Sequence, residues 1–239
     1  MNRITHFNNH DEATGLPLDS KGNPTTLTTT STARWLALGA VAGPILFNLA
    51  WLVLGVVSPG FTLFGTRIEP YSPISQSISG LGLGLTAPFM NAAFVAGGLL
   101  IMIGAIGIFR TFREIGRVTR WGYTILLALA GVGMIMDGIF TLESIMPHTA
   151  GFLVGTGTPV LSFLIFGRML RRIPRWRRFG NWLILGSPVT LGLLVLYFAT
   201  FDPVASGTGL GISGLIQRVL VLESHALIAA LGWLAYRRG

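Results

Sequence analysis

Five ionisable side chains stand inside or at the edge of long apolar runs of this sequence: Asp137, His148, Arg218, Glu223 and His225. A charge within hydrocarbon is costly, so each such group needs a partner or a task. The residue types permit three kinds of chemistry. An acid and a guanidinium can pair, an acid and two histidines can hold a divalent metal, and the same groups around a cavity can hydrogen-bond a polar ligand. On a helix turning about 100° per residue, Asp137 shares a face with Ala130, Gly133 and Thr141, and His148 with Gly151, Gly155 and Ser162. Arg218 and His225, two turns apart, share a face with Gly214, Ala229 and Gly232. Glu223 projects about 140° away from Arg218 and is left to meet a different helix or a second subunit.

Counting rise from the helix ends places Asp137 and Arg218 at matching depth, ~6 to 9 Å below the surface, with His225 about 10 Å deeper than Arg218 and His148 at the rim. The spacing therefore predicts a charge-assisted hydrogen bond between Asp137 and Arg218, at roughly 2.7 to 3.2 Å. The favoured reading is a binding site of Asp137, His148, Arg218 and His225 for a small polar ligand or a lipid headgroup. Ser75, Gln76 and Ser79 would form its lid. This reading needs no catalytic residue, cofactor or metal. One alternative is a small-solute or lipid transporter, although no inverted repeat or broken helix pair is visible. Another is a zinc site of Asp137, His148 and His225 hydrolysing a lipid in the membrane plane, without an HExxH motif to support it. Two unequal histidines do not supply the matched axial pair of a haem. With no cysteine in the chain, disulfides, thiolate metal sites and thiol nucleophiles are excluded.

The elements that position these groups follow from hydropathy. The 239 residues are 51% hydrophobic and 11% charged, with a mean hydropathy of +0.66, far more apolar than a soluble domain. Six stretches are long enough to cross about 30 Å of hydrocarbon: Trp35 to Val57, Ala87 to Phe109, Trp121 to Leu142, Thr149 to Leu170, Asn181 to Phe201 and Gly214 to Tyr236. Putting Arg110, Arg113, Arg117 and Arg120 on one side carries all the other basic residues there except Arg67 and Arg218. By the positive-inside rule that side is the cytoplasm, and both termini lie on it, in a cell membrane. The net charge of +8 is thus an orientation signal toward anionic headgroups, not a nucleic-acid footprint, and the RMLRRIPRWRR run from Arg168 to Arg178 reads the same way. Residues 1 to 33, which include His6, His10 and the stretch TTLTTTSTA, read as a disordered cytoplasmic tail, and residues 34 to 239 as the membrane domain. Membrane lipids are the expected partners.

Small residues mark packing faces, since helices in lipid associate through close contact of backbones. Gly39 and Gly43 form a GxxxG pair in the first span, and Gly97 with Gly104 marks a face of the second. Between these spans lies the longest extracytoplasmic loop. Ser72 before Pro73 looks like a helix start, and Ile74, Ile78, Leu81 and Leu85 recur as an apolar stripe opposite Ser75, Gln76 and Ser79. A short interfacial helix follows from that pattern. The string GLGISG, Gly209 to Gly214, matches a dinucleotide fingerprint by letter only, because it opens a membrane helix with no preceding strand.

The segment PYSPISQSISGLGLG and the span after it resemble an integral membrane family of bacteria and archaea, Domain of Unknown Function 998. Tyr71, Ser72, Ile74, Ser75, Ile78, Ser79, Leu81 and Gly82 match the loop of that family. Phe140 and His148 in GMIMDGIFTLESIMPHTAGF, and Gly214, Leu215 and Arg218 in GLGISGLIQR, stand in family-like places, while Thr141 replaces an expected proline. The resemblance implies an all-α membrane protein, a six-transmembrane-helix bundle, and no particular activity.

Overall fold

The computed structural model describes residues 28–112 and 114–238. Of the expected tail, residues 1–27 with His6 and His10 lie outside the described residues, and the chain is helical from Thr28. Helices α1 (Thr28–Ala37) and α2 (Gly39–Val57) meet at Leu38 and together supply the first span. Then come a hairpin of β1 (Phe61–Leu63) and β2 (Thr66–Ile68), two 3-10 turns (Ile78–Gly82 and Gly84–Thr86), and the long helices α3 (Ala87–Arg110), α4 (Arg117–Ile139), α5 (Ile145–Arg171) and α6 (Arg177–Thr200). A single-turn helix α7 (Pro203–Gly207) precedes the last span, α8 (Ser213–Arg238). The protein is an all-α membrane bundle of six candidate spans.

Each long helix packs on the next in sequence, and α8 closes the ring against α2 and α6. Close backbone approach explains the order. An added Cβ at Gly43 would lie 2.6 Å from the Gly97 carbonyl oxygen, and one at Gly39 would strike the backbone of Leu100. The small faces inferred for the first two spans are therefore their contact. On α4 and α5, Gly133 lies directly against Gly155. The core of the arginine-bearing end is aromatic: Phe109, Phe112, Phe163, Phe166 and Trp176 are fully buried there. Arg110, Arg117, Arg168, Arg171, Arg237 and Arg238 occupy helix termini at this one end, and Arg34 Nε donates to the Tyr236 carbonyl at 2.8 Å.

The opposite end carries the hairpin, whose antiparallel register pairs Phe61 with Ile68 and Leu63 with Thr66. Its turn has φ of 48° at Phe64 and 80° at Gly65, the positive pair that a tight two-residue hairpin requires. In place of the short helix expected between the first two spans, the chain forms a turn followed by the 3-10 turns, and it buries residues of both expected faces. Ser75, Gln76 and Ser79 are buried, and so are Ile78 and Leu81, whereas Ile74 and Leu85 are exposed. Ile78 and Leu81 pack into an apolar core with Phe47, Trp51 and Phe94.

Candidate functional site

The loop of residues 71–79 is strapped to the N-terminus of α8. Helix N-termini leave amide groups without intrahelical acceptors, and here Leu215 N–H donates to the Ile74 carbonyl at 2.8 Å. The hydroxyls of Ser206 and Ser213 donate to the Ser75 carbonyl at 2.8 and 3.1 Å. Ile78 N–H donates to Gln217 Oε1 at 2.7 Å. Gly214 allows the approach, because a Cβ there would collide with the Gln76 backbone.

Arg218 sits at the centre of this strap and is not paired with Asp137. Its Nη1 donates to the Gln76 and Gly214 carbonyls at 2.8 and 2.9 Å, its Nη2 donates to the Tyr71 hydroxyl, and its guanidinium lies 5.3 Å from the centre of the Trp51 ring. Tyr71 in turn donates to the Ser77 carbonyl at 3.0 Å. Burial pushes the Tyr71 phenol up from its ordinary pKa, with the Arg218 charge opposing, so the hydroxyl keeps the proton that it donates. The expected ion pair fails for a physical reason. Counting rise along a helix gives depth but not what the intervening loop offers, and here the loop offers carbonyls and a phenol at hydrogen-bonding distance.

Asp137 instead faces α5. Its Oδ1 lies 3.7 Å from His148 Nδ1 and against Gly151, where a Cβ would sit 2.5 Å away. That oxygen is buried and accepts no hydrogen bond among the described residues. His148 is held at both ring nitrogens: Nδ1 is 2.7 Å from the Phe140 carbonyl oxygen and Nε2 is 2.9 Å from Ser79 Oγ. His225 belongs to another group. The amide of Asn48 donates to His225 Nδ1 at 3.1 Å, and Asn48 Oδ1 accepts from Trp51 Nε1 at 2.8 Å. Glu223 is bonded within the bundle, accepting from Thr190 Oγ1 of α6 at 2.8 Å.

Two cavities connect these groups. The outer one, about 300 Å³, lies among the hairpin, the start of α5, the end of α6 and α7. Its lining is polar at Gln76, Ser79, His148 and Gln217 and aromatic at Phe61, Phe152, Tyr197, Phe198 and Phe201. The inner one, about 40 Å³, is enclosed by Asp137, His225, Ser224, Thr156 and apolar neighbours, and it shares Ser79, Phe152 and Gln217 with the outer one. A volume of that size holds roughly two or three waters. Of the residues expected to form one site, Gln76, Ser79 and His148 thus line the outer cavity, Asp137 and His225 the inner one, and Ser75 and Arg218 neither. The zinc alternative is not brought together. His148 has both nitrogens engaged, and among the described residues no three His, Cys, Asp or Glu side chains are grouped to hold a metal.

Sequence reasoning missed Asn48, Tyr197 and Gln217. Asn48 carried a signal, as a single amide within the apolar run ILFNLAWLVL. Gln217 was hidden beside Arg218, and Tyr197 lay in an aromatic stretch that reads as lipid-facing.

The fold and its interior define a membrane-embedded helical protein with a polar centre at one end. The chain belongs to the family described as protein of unknown function (DUF998), whose model matches residues 41–234. No curated protein and no solved structure matches the chain.

Proposed function

We propose that this protein binds a membrane amphiphile in the outer cavity, with the polar head against its polar side chains and the apolar part against its aromatic rings. The carrying observation is the mixed lining of that cavity. Gln76, Ser79, His148 and Gln217 line it together with Phe61, Phe152, Phe198 and Phe201. Its rim includes apolar side chains that are well exposed, Phe64, Ile145, Phe198 and Phe201, which suits entry from lipid. Among the described residues no Lys or Arg lines it, so the matching head is an uncharged one, bearing hydroxyls, amides or ester carbonyls. Gln217 Oε1 is committed to Ile78 N–H, which leaves its NH₂ group to donate to such a head.

The test is native mass spectrometry of the protein released from membranes in a mild detergent. Gly207 lines the cavity and has open space around it, so Gly207→Trp fills the cavity without a backbone clash. One lipid per chain should be retained by the wild type and its occupancy should fall about tenfold or more in Gly207→Trp, a loss of roughly 1.4 kcal/mol or more. Equal retention by both proteins would refute the site.

In this reading the cavity end faces outward and both termini are cytoplasmic in a cell membrane, because the basic residues cluster at the opposite end. A chain without cysteine allows a direct measurement. An impermeant maleimide added to intact cells should label Gly207→Cys and leave Gly116→Cys untouched, and the reverse pattern would invert the orientation.

A further inference from the structure

Ser79, His148 and Asp137 come from three separate segments of the chain, and the fold places them in a row beside the outer cavity. A carbonyl oxygen only accepts, so the 2.7 Å contact with Phe140 fixes the proton of neutral His148 on Nδ1. Nε2 is then the acceptor, and Ser79 Oγ–H donates to it at 2.9 Å. The Asp137 carboxyl, 3.7 Å from Nδ1, stands on the side of the ring that becomes more positive when Nε2 takes a proton. This is the logic of a serine nucleophile with a histidine base and an acid behind it. A fourth group completes it. Gln217 is fixed through its Oε1 by the amide of Ile78, the residue before Ser79, and lines the same cavity as Ser79, so its uncommitted NH₂ group is the donor for an oxygen gaining negative charge.

We infer that Ser79 is an acyl-transfer nucleophile acting on carboxylic esters of membrane amphiphiles, with His148 as its base and Gln217 as oxyanion donor. The inference rests on the outer cavity being the amphiphile site. In the first step Ser79 Oγ bonds to the ester carbonyl carbon and its proton passes to His148 Nε2. The carbon–oxygen bond to the alcohol then breaks, and the alcohol leaves with that proton. In the second step a water gives its proton to Nε2 and its oxygen to the acyl carbon. The bond to Ser79 Oγ breaks, Oγ recovers the proton, and the carboxylic acid departs. No oxidation or reduction occurs, and water is the co-reactant. Asp137 is a positioning residue: it touches no reacting atom and acts through the ring of His148.

A long-chain alkyl fluorophosphonate tests this on the full chain in lipid–detergent micelles. Ser79 Oγ would displace fluoride from phosphorus and form a stable adduct, located by peptide mass spectrometry. We expect one adduct per chain, on Ser79. His148→Gln, which removes the base while keeping a hydrogen-bonding side chain, should slow the reaction about 100-fold or more. Asp137→Asn should slow it with no matching change in unfolding, a split that a purely structural carboxylate would not produce. The wild-type adduct site is decisive even if a variant fails to fold. Absence of an adduct on Ser79 in protein that retains its lipid would overturn the nucleophile and leave the binding site standing. Absence of both lipid and adduct would overturn the two together, and adducts scattered over other serines would also refute the assignment.

Discussion

Arg218 and Asp137 are buried to nearly the same degree, 5% and 6% exposed, yet the protein treats them in opposite ways. Arg218 has its Nη1 and Nη2 groups donating to two carbonyls and a phenol, aromatic rings of Trp51 and Tyr71 beside its plane, and only Nε without an acceptor among the described residues. It lines neither the outer nor the inner cavity. Asp137 leaves Oδ1 without a hydrogen bond, touches His148 only at 3.7 Å, and lines a cavity. A charge in a membrane helix is thus not by itself a site. One whose hydrogen-bonding groups are mostly met by the protein holds the structure together, and one left without a hydrogen bond beside an open space is available for chemistry.

The largest expected effect lies at Arg218. Arg218→Lys keeps a positive charge but replaces a planar fork with a compact ammonium that cannot meet the Gln76 carbonyl, the Gly214 carbonyl and the Tyr71 hydroxyl together while stacking on Trp51. Each buried acceptor left unmet costs about 1 to 3 kcal/mol. Reversible unfolding in mixed micelles should therefore show a loss of about 2 to 4 kcal/mol. Local proteolysis of the loop of residues 71–79 should rise with it, since that loop is tied to α8 through this side chain. Wild-type stability in Arg218→Lys would show that the strap is held by the serine and Gln217 contacts alone, and the comparison would lose its structural half.

How much of this was legible in the sequence follows from what kind of interaction sets each feature. The six spans, their order and the Gly39, Gly43, Gly97 and Gly104 contact were readable because hydropathy and small-residue spacing act along one helix at a time. The inward orientation of Asp137, His148, Arg218 and His225 was readable for the same reason. Their partners were not. Arg218 meets Tyr71 and Gln76, and His148 meets Ser79, across more than one turn of an irregular loop whose path depends on the α8 N-terminus accepting it. The stripe of Ile74, Ile78, Leu81 and Leu85 assumed a helical period over Ser72 to Leu85. The chain instead forms a turn and two 3-10 segments there, so Ser75, Gln76 and Ser79 are buried together with Ile78 and Leu81, and the expected division into two faces is absent. The hairpin was invisible because three-residue strands carry too little alternation to read.

The smallest expected effect is the sharpest probe of the comparison. Asp137→Asn removes a carboxylate and keeps its shape, so neither the Gly133–Gly155 contact nor the fit against Gly151 changes. The lost oxygen made no hydrogen bond among the described residues, and its distance to His148 Nδ1 is beyond hydrogen-bonding range. The His148 ring stays oriented by the Phe140 carbonyl and Ser79. A buried carboxyl oxygen without a hydrogen-bond partner is a cost to the fold, and its removal offsets whatever attraction to the ring is lost. Unfolding free energy should therefore change by less than about 1 kcal/mol in either direction, well inside the loss expected for Arg218→Lys. The same unfolding titration measures both. A loss for Asp137→Asn as large as that for Arg218→Lys would mean that the carboxylate is a structural anchor for α4 on α5, bonded in solution through groups that reach it from the inner cavity. The distinction between an ionisable group bound into the fold and one left available would then collapse. A neutral result would show that the carboxylate adds nothing to stability, and the rate of Ser79 labelling in the same variant would then read what it does to His148.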